Sequence, residues 1–177
     1  MMETKQKPMP NLWFKLMALE YGTRAKPSLV DERLKQAGVS HGMHVLDYGC
    51  GPGRYTLPAA SIVGPKGVVY ALDIHPLAIQ TVEKAAKRRA LDNVRLIRSS
   101  CASGLKSESI DIAILFDTLH DVDDADGVLH EIRRVLKSKG RLAYKDHTLN
   151  GTLLLQVMLR NGLRLVEGSE VLSFEKC

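Results

Sequence analysis

Three glycines alternate in Asp47-Tyr-Gly49-Cys-Gly51-Pro-Gly53, between an apolar run that ends at Asp47 and a helix-compatible stretch that begins near Tyr55. Glycine accepts positive φ and leaves bare backbone against which a ligand can lie. A dinucleotide fold would need G-x-G-x-x-G, whose third glycine lets the helix pack closely on the strand. Counted from Gly49 that position holds Arg54, and counted from Gly51 it holds Thr56, so the dinucleotide pattern fails in both frames. Two short polar clusters further along carry groups able to move a proton: Asp117-Thr-Leu-His120-Asp121 and Lys145-Asp146-His147. Either histidine can be neutral near pH 7, so His120 and His147, with Asp146, are the candidate catalytic residues.

Short β-rich runs at 44–47, 68–73, 94–97, 110–116 and 141–144 alternate with helical stretches at 55–63, 76–90 and 125–136. That alternation predicts parallel strands joined by crossover helices. Pro76 suits a first helical turn, where a missing N–H costs nothing. Val128, Leu129, Ile132, Val135 and Leu136 recur at helical spacing, and Gly140 is expected to end that helix. A tail helix at 152–160 precedes two runs, 163–166 and 171–174, which Gly168-Ser169 would join as an antiparallel hairpin at the sheet edge. Upstream, Ser28 and Asp31 have capping-box spacing for a helix that stops at Gly38. Trp13, Phe14, Leu16, Met17 and Leu19 form an apolar cluster that reads either as a lid or as a helix packed on the core.

The expected fold is therefore α/β, a three-layer αβα sandwich around a mostly parallel seven-stranded sheet with an antiparallel last strand. Residues 1–40 would form a helical lid or cap and 41–177 the ligand-binding domain, in one compact unit. In such a sheet the ligand crevice lies beyond the carboxyl ends of the strands, which puts both polar clusters on its rim.

The segment from Val45 to Gly53 resembles the first motif of class I S-adenosylmethionine-dependent methyltransferases, D-x-G-x-G-x-G, and the likeness extends from Met43 to the end of the chain. The resemblance implies S-adenosylmethionine as cofactor, with Asp47 close to its amino acid end and Gly49, Cys50, Gly51 and Gly53 running beneath its methionine and ribose portions. A sulfonium ligand with an ammonium group needs no phosphate cradle, but it favours a nearby carboxylate. Asp73, twenty residues after Gly53, stands where the family binds both ribose hydroxyls, and Ile74 would lie against adenine. The alternative for Asp73 is a cap on the helix that begins at Pro76. Ser100 stands where relatives commonly carry an acidic residue for the adenine amino group, a departure that leaves a hydroxyl to accept that bond. Cys101 would flank the cofactor like Cys50, Asp117 would close the pocket after the fourth strand, and Tyr21 would cover the methionine end.

Methyl transfer is an in-line displacement to which positioning contributes most when the nucleophile is already deprotonated; a hydroxyl or carbon acid calls for a base. The acceptor expected is a small molecule. RNA or protein is the alternative, as is a non-catalytic cofactor-binding subunit, and a homodimer stays open. The chain has 177 residues, 45% of them hydrophobic and 25% charged, which suits one globular unit; its formal charge of +5 is the only support for a polyanionic partner. Asp117-Thr-Leu-His120 lacks the Asn/Asp-Pro-Pro-aromatic motif of the family's base-amino methyltransferases, which disfavours nucleic acid. Lys84, Lys87, Arg88 and Arg89 read as a solvated helix face. Cys50, Cys101 and Cys177 form no C-x-x-C pair, arguing for a reducing, cytoplasmic setting and against a zinc site. Asp121 to Gly127 lacks the glutamate of a calcium loop, so no metal is expected.

Overall fold

The apolar runs become the strands of one sheet: β1 (His44–Tyr48), β2 (Val68–Asp73), β3 (Val94–Arg98), β4 (Ile110–Phe116), β5 (Leu136–Lys145), β6 (Leu163–Gly168) and β7 (Leu172–Lys176). The computed structural model describes residues 6–24, 27–147 and 151–177, and the side chains of 21–24 are not among those described. The strand order is β3-β2-β1-β4-β5-β7-β6. β7 enters antiparallel between β5 and β6, so β6 rather than β7 forms the edge. Order reverses between β1 and β4, and the loops that leave these two neighbours splay apart to make a crevice at that point.

Strand alternation divides the core into two faces. Val45, Val69, Ile112 and Ile114 point toward α2 (Pro27–Gln36) and α3 (Thr56–Val63), and Ala71 toward α4 (Pro76–Arg88). Leu46, Leu72, Ala113, Leu115 and Leu142 face α5 (Ala125–Val135) and α6 (Gly151–Arg160). The expected three layers are present, because period-two strands offer an apolar residue to each side and each helix brings one apolar stripe. Among the described residues no helix is long and apolar enough to cross a membrane.

Two local expectations are corrected. Gly140 does not end α5; the helix stops at Val135, Leu136 turns extended, and Gly140 lies inside β5. Leu136 pairs with Ile110 and Arg141 with Ile112, so the chain between them bulges. A Cβ on Gly140 would stand 2.8 Å from the Ile110 carbonyl oxygen, so glycine serves a close backbone approach there. Ser28 falls within α2, one residue after its start at Pro27, and so does not cap it.

The apolar cluster near the N-terminus lies on α1 (Asn11–Arg24), and the helix divides it. Phe14 is buried, while Leu12, Trp13, Leu16 and Leu19 are exposed. α2 instead belongs to the core, through Val30 and Leu34.

Candidate active site

Strand parity puts the Asp47 side chain on the α3 face of the sheet, where Thr56 Oγ1 in the first turn of α3 donates to Asp47 Oδ2 at 2.6 Å. The carboxylate is buried, and desolvation, partly offset by the Thr56 bond and increased by Asp73, pushes its pKa up to about 6. Asp73 closes β2; its Oδ2 accepts from Gly51 N at 2.8 Å and its Oδ1 from His75 N at 2.7 Å. Its pKa is also raised by burial, against those backbone bonds. Among the described residues neither carboxylate pairs with a lysine or arginine. Two negative groups flank one loop with their charge uncompensated, which is an electrostatic preference for a cation.

The loop between them follows the glycines. Gly49 has φ +78°, and a Cβ there would collide with the Thr118 side chain, so β1 and β4 exits meet only over bare backbone. Gly51 has φ +51°, and a Cβ added to it would meet nothing, because its α-carbon faces a cavity of about 320 Å³. Of the residues that the sequence proposed for the cofactor, Gly49, Cys50, Gly51, Asp73, Ile74, Ser100 and Asp117 line that cavity. Asp47, Gly53 and Cys101 do not: Asp47 lies beneath the loop, and Cys101 packs against the core with Tyr48 Oη donating to its carbonyl at 3.0 Å. Asp73 is not the cap of α4. His75 is, with Nδ1 accepting from Leu77 N at 3.0 Å.

The sequence offered the N-terminal apolar segment as a lid or a helix packed on the core, but not the contacts that seat it. Because Nδ1 of His75 accepts, Nε2 carries the proton and donates to the Met9 carbonyl at 3.0 Å, while Phe14 stacks on the same ring at a centroid distance of 4.4 Å. Gln6 Nε2 donates to the Asp121 carbonyl at 2.7 Å. These contacts carry residues 6–10 and the start of α1 across the cavity, adding Met9, Phe14 and Met17 to its wall. The signal in sequence was the apolar cluster from Trp13 to Leu19; a histidine before Pro76 announced nothing by itself. Tyr21, expected over the methionine end, has its side chain outside the described residues.

Beyond Asp117 the three candidate catalytic groups come together. His120 Nδ1 donates to Asp146 Oδ2 at 2.8 Å, and His147 Nδ1 to Asp117 Oδ1 at 3.1 Å; the two imidazoles meet edge to face at 5.5 Å. A short 3₁₀ turn at 119–121 carries His120, and the segment just after β5 carries Asp146 and His147. Partial burial works against charge on His120, but Asp146, with Asp121 and Asp117, outweighs it and raises the pKa. The cluster adjoins the cavity through Asp117 without lining it.

Residues 39–170 match the family described as "Methyltransferase domain". The chain belongs to this family. Curated methyltransferases resemble it over their shared core: a demethylmenaquinone methyltransferase of Geobacillus sp. (strain WCH70) is 33% identical over 113 residues, 63% of this chain and 48% of that protein. An aklanonic acid methyltransferase of Streptomyces sp. (strain C5) is 35% identical over 104 residues, 58% of this chain and 47% of that one. The chain thus spans about half the length of these relatives. Among solved structures, an S-adenosylmethionine-dependent methyltransferase from Aquifex aeolicus superposes with a TM-score of 0.79 at 22% identity, covering 90% of this chain and 98% of that one. A [4+2]-cyclase shares the fold at TM-score 0.69 and 20% identity, covering 79% of this chain and 57% of that one. The methyltransferase-domain fold therefore hosts more than one chemistry, and activity has to be argued from the site.

Proposed function

We propose that this methyltransferase-domain protein binds S-adenosylmethionine in the cavity between the β1 and β4 loops and transfers its methyl group to a small molecule held at the Asp117–His147 rim. The observation that carries this reading is the pair of uncompensated carboxylates, Asp47 and Asp73, on either side of an open glycine loop. Asp73 retains lone pairs for ribose hydroxyls after its two backbone bonds, and Asp47 supplies negative charge under the loop for the ammonium and sulfonium end. Ile74 and Ser100 take the adenine end. The roof of Met9, Phe14 and Met17 acts as a lid that excludes water from the transferring methyl.

A small acceptor is supported by the relatives, whose names specify demethylmenaquinone and aklanonic acid. His120, His147 and Asp146 are the groups that meet it. Titration calorimetry with S-adenosylmethionine, S-adenosylhomocysteine and NAD on the native chain and on Asp73→Asn tests the cofactor half. Binding of both adenosyl ligands, weakened about tenfold or more in the variant and absent for NAD, is expected. No binding of either adenosyl ligand at millimolar concentration would end this reading.

A further inference from the structure

The sheet ends in β3 on one side and β6 on the other, and no described strand pairs with the outer side of either. An open edge can template pairing with another chain, and its charges decide with which. The charged side chains of β3 are Arg95 and Arg98, so any pairing of that edge with its own copy brings only positive groups together. β6 carries one charge of each sign, Arg164 and Glu167, both exposed.

Three residues apart, these two would point to opposite faces of a regular strand. The pairing with β7 shifts between Leu165 and Glu167, so Val166 is an extra residue and the two charges share a face. Contacts on that face agree. Arg164 Nη2 lies 4.0 Å from Glu175 Oε2, Arg141 Nε donates to Glu175 Oε1 at 3.1 Å, and Arg141 Nη1 lies 3.7 Å from Glu167 Oε2. A row of alternating charge therefore passes through β7 and β5 and returns to β6, with Arg164 and Glu167 as its two exposed ends. A bulge often turns an edge away from pairing; this one instead aligns the charges that a partner would meet.

The other face of the same edge is apolar. Leu165 is registered with buried Phe174 and so lies on the α6 side of the sheet, yet it is exposed. α6 packs against β6 and turns Leu154 and Met158 into the core. Arg160 and Asn161 bond to Asp126 of α5, which marks the flank of α6 that faces α5. At about 100° per residue, Leu155 and Leu159 fall on the other flank, toward the sheet edge, and both are exposed. Leu155, Leu159 and Leu165 thus form an uncovered apolar strip along β6.

We propose that β6 pairs antiparallel with β6 of a second copy of this chain, about a two-fold axis at Leu165, so that two seven-stranded sheets become one. A two-fold interface needs a surface complementary to itself. Counted without the bulged Val166, Arg164 and Glu167 stand one position to either side of Leu165. The axis therefore sets Arg164 of each copy opposite Glu167 of the other, twice, and Leu165 opposite its counterpart. On the α6 side, Leu155 and Leu159 of the two copies close over the paired strands. Opposite charges fix the register, and the apolar strip supplies the burial.

The cavity between the β1 and β4 loops is separated from this edge by β5 and β7, so both copies keep it open. Pairing through β6 does not depend on what that cavity binds.

Sedimentation equilibrium of the native chain at up to about 100 µM should show a dimer with a Kd of about 1 µM or tighter. Arg164→Glu leaves two glutamates on each edge and Glu167→Arg two arginines, so either variant alone should dimerise at least about tenfold more weakly. An equimolar mixture of the two variants should recover the dimer, because every cross-strand contact again joins a glutamate to an arginine. Leu159→Asp, which leaves the charge row intact, should weaken the dimer at least about tenfold as well. Far-UV circular dichroism and urea midpoints like those of the native chain identify the variants that are folded. A native chain that stays monomeric overturns the proposal and leaves the edge to a different protein. A dimer of unchanged affinity in the folded variants, or a mixture no tighter than its two components, overturns it equally.

Discussion

Replacing Asp47 with asparagine is expected to make the cofactor-free protein more stable and a poorer binder. A carboxyl moved from 3.8 to about 6 by burial is held in the folded chain against its preference whenever it is ionised. About two pKa units correspond to roughly 3 kcal/mol. The group's folded pKa is raised, so this penalty is absent below pH 3.8, grows between 3.8 and about 6, and is complete above it. Asparagine retains a carbonyl for the Thr56 hydroxyl but brings an amide that must find acceptors, which reduces the net gain to about 1–3 kcal/mol. In a chain of this length that raises Tm by roughly 2–4 °C per kcal/mol. Urea melts of both proteins at pH 4 and pH 7.5 measure it: the variant should be the more stable at pH 7.5, and the gap should close at pH 4. Calorimetry should show S-adenosylhomocysteine binding weakened about tenfold at pH 7.5, since the negative charge beneath the loop that favours the ligand's ammonium group is lost. Native affinity should rise more steeply from pH 5 to 7.5 than the variant's, which retains only Asp73 as a carboxylate raised by burial. A variant less stable than the native chain at pH 7.5, or a gap independent of pH, would refute the idea that Asp47 is a strained anion awaiting a cation.

Three further outcomes follow from the same geometry. Gly49→Ala, forced to φ +78° against Thr118, should lose at least about 2 kcal/mol in urea melts, with partial recovery when combined with Thr118→Ala. Phe14→Ala removes the ring stacked on His75 and should free α1, read as proteolytic cleavage within residues 11–24 and several-fold faster cofactor exchange, while the sheet keeps its hydrogen-exchange protection. Arg33 Nη1 donates to Tyr55 at 2.9 Å and its Nε to Glu170 at the same distance, tying α2 to α3 and the β6–β7 turn; because Glu170 is part-exposed, Arg33→Ala should cost about 1–2 kcal/mol in thermal or urea unfolding.

Much of the architecture was legible because it rests on local patterns. Alternating apolar runs, Pro76 at a helix start and three glycines after Asp47 each report a backbone requirement that a residue type satisfies by itself. The β-hairpin was read correctly, but its placement between β5 and the edge was not in the sequence, because pairing order depends on which strand edge remains open. Gly140 was misread for the same reason. Its glycine answers to the Ile110 carbonyl thirty residues earlier, and no local pattern carries that contact.

The candidate site divides along the same line. Sequence alone determined that a bare loop follows a strand-ending aspartate and that acidic and imidazole groups follow the fourth and fifth strands, because motif spacing and strand order place them there. Only the tertiary structure decided that Asp47 lies beneath the loop rather than in the cavity, that Phe14 and His75 roof it, and that Asp117, His120, Asp146 and His147 converge. Those facts depend on groups as far as 115 residues apart arriving at common points in space, as Gln6 does on Asp121, and distance along the chain does not encode such meetings.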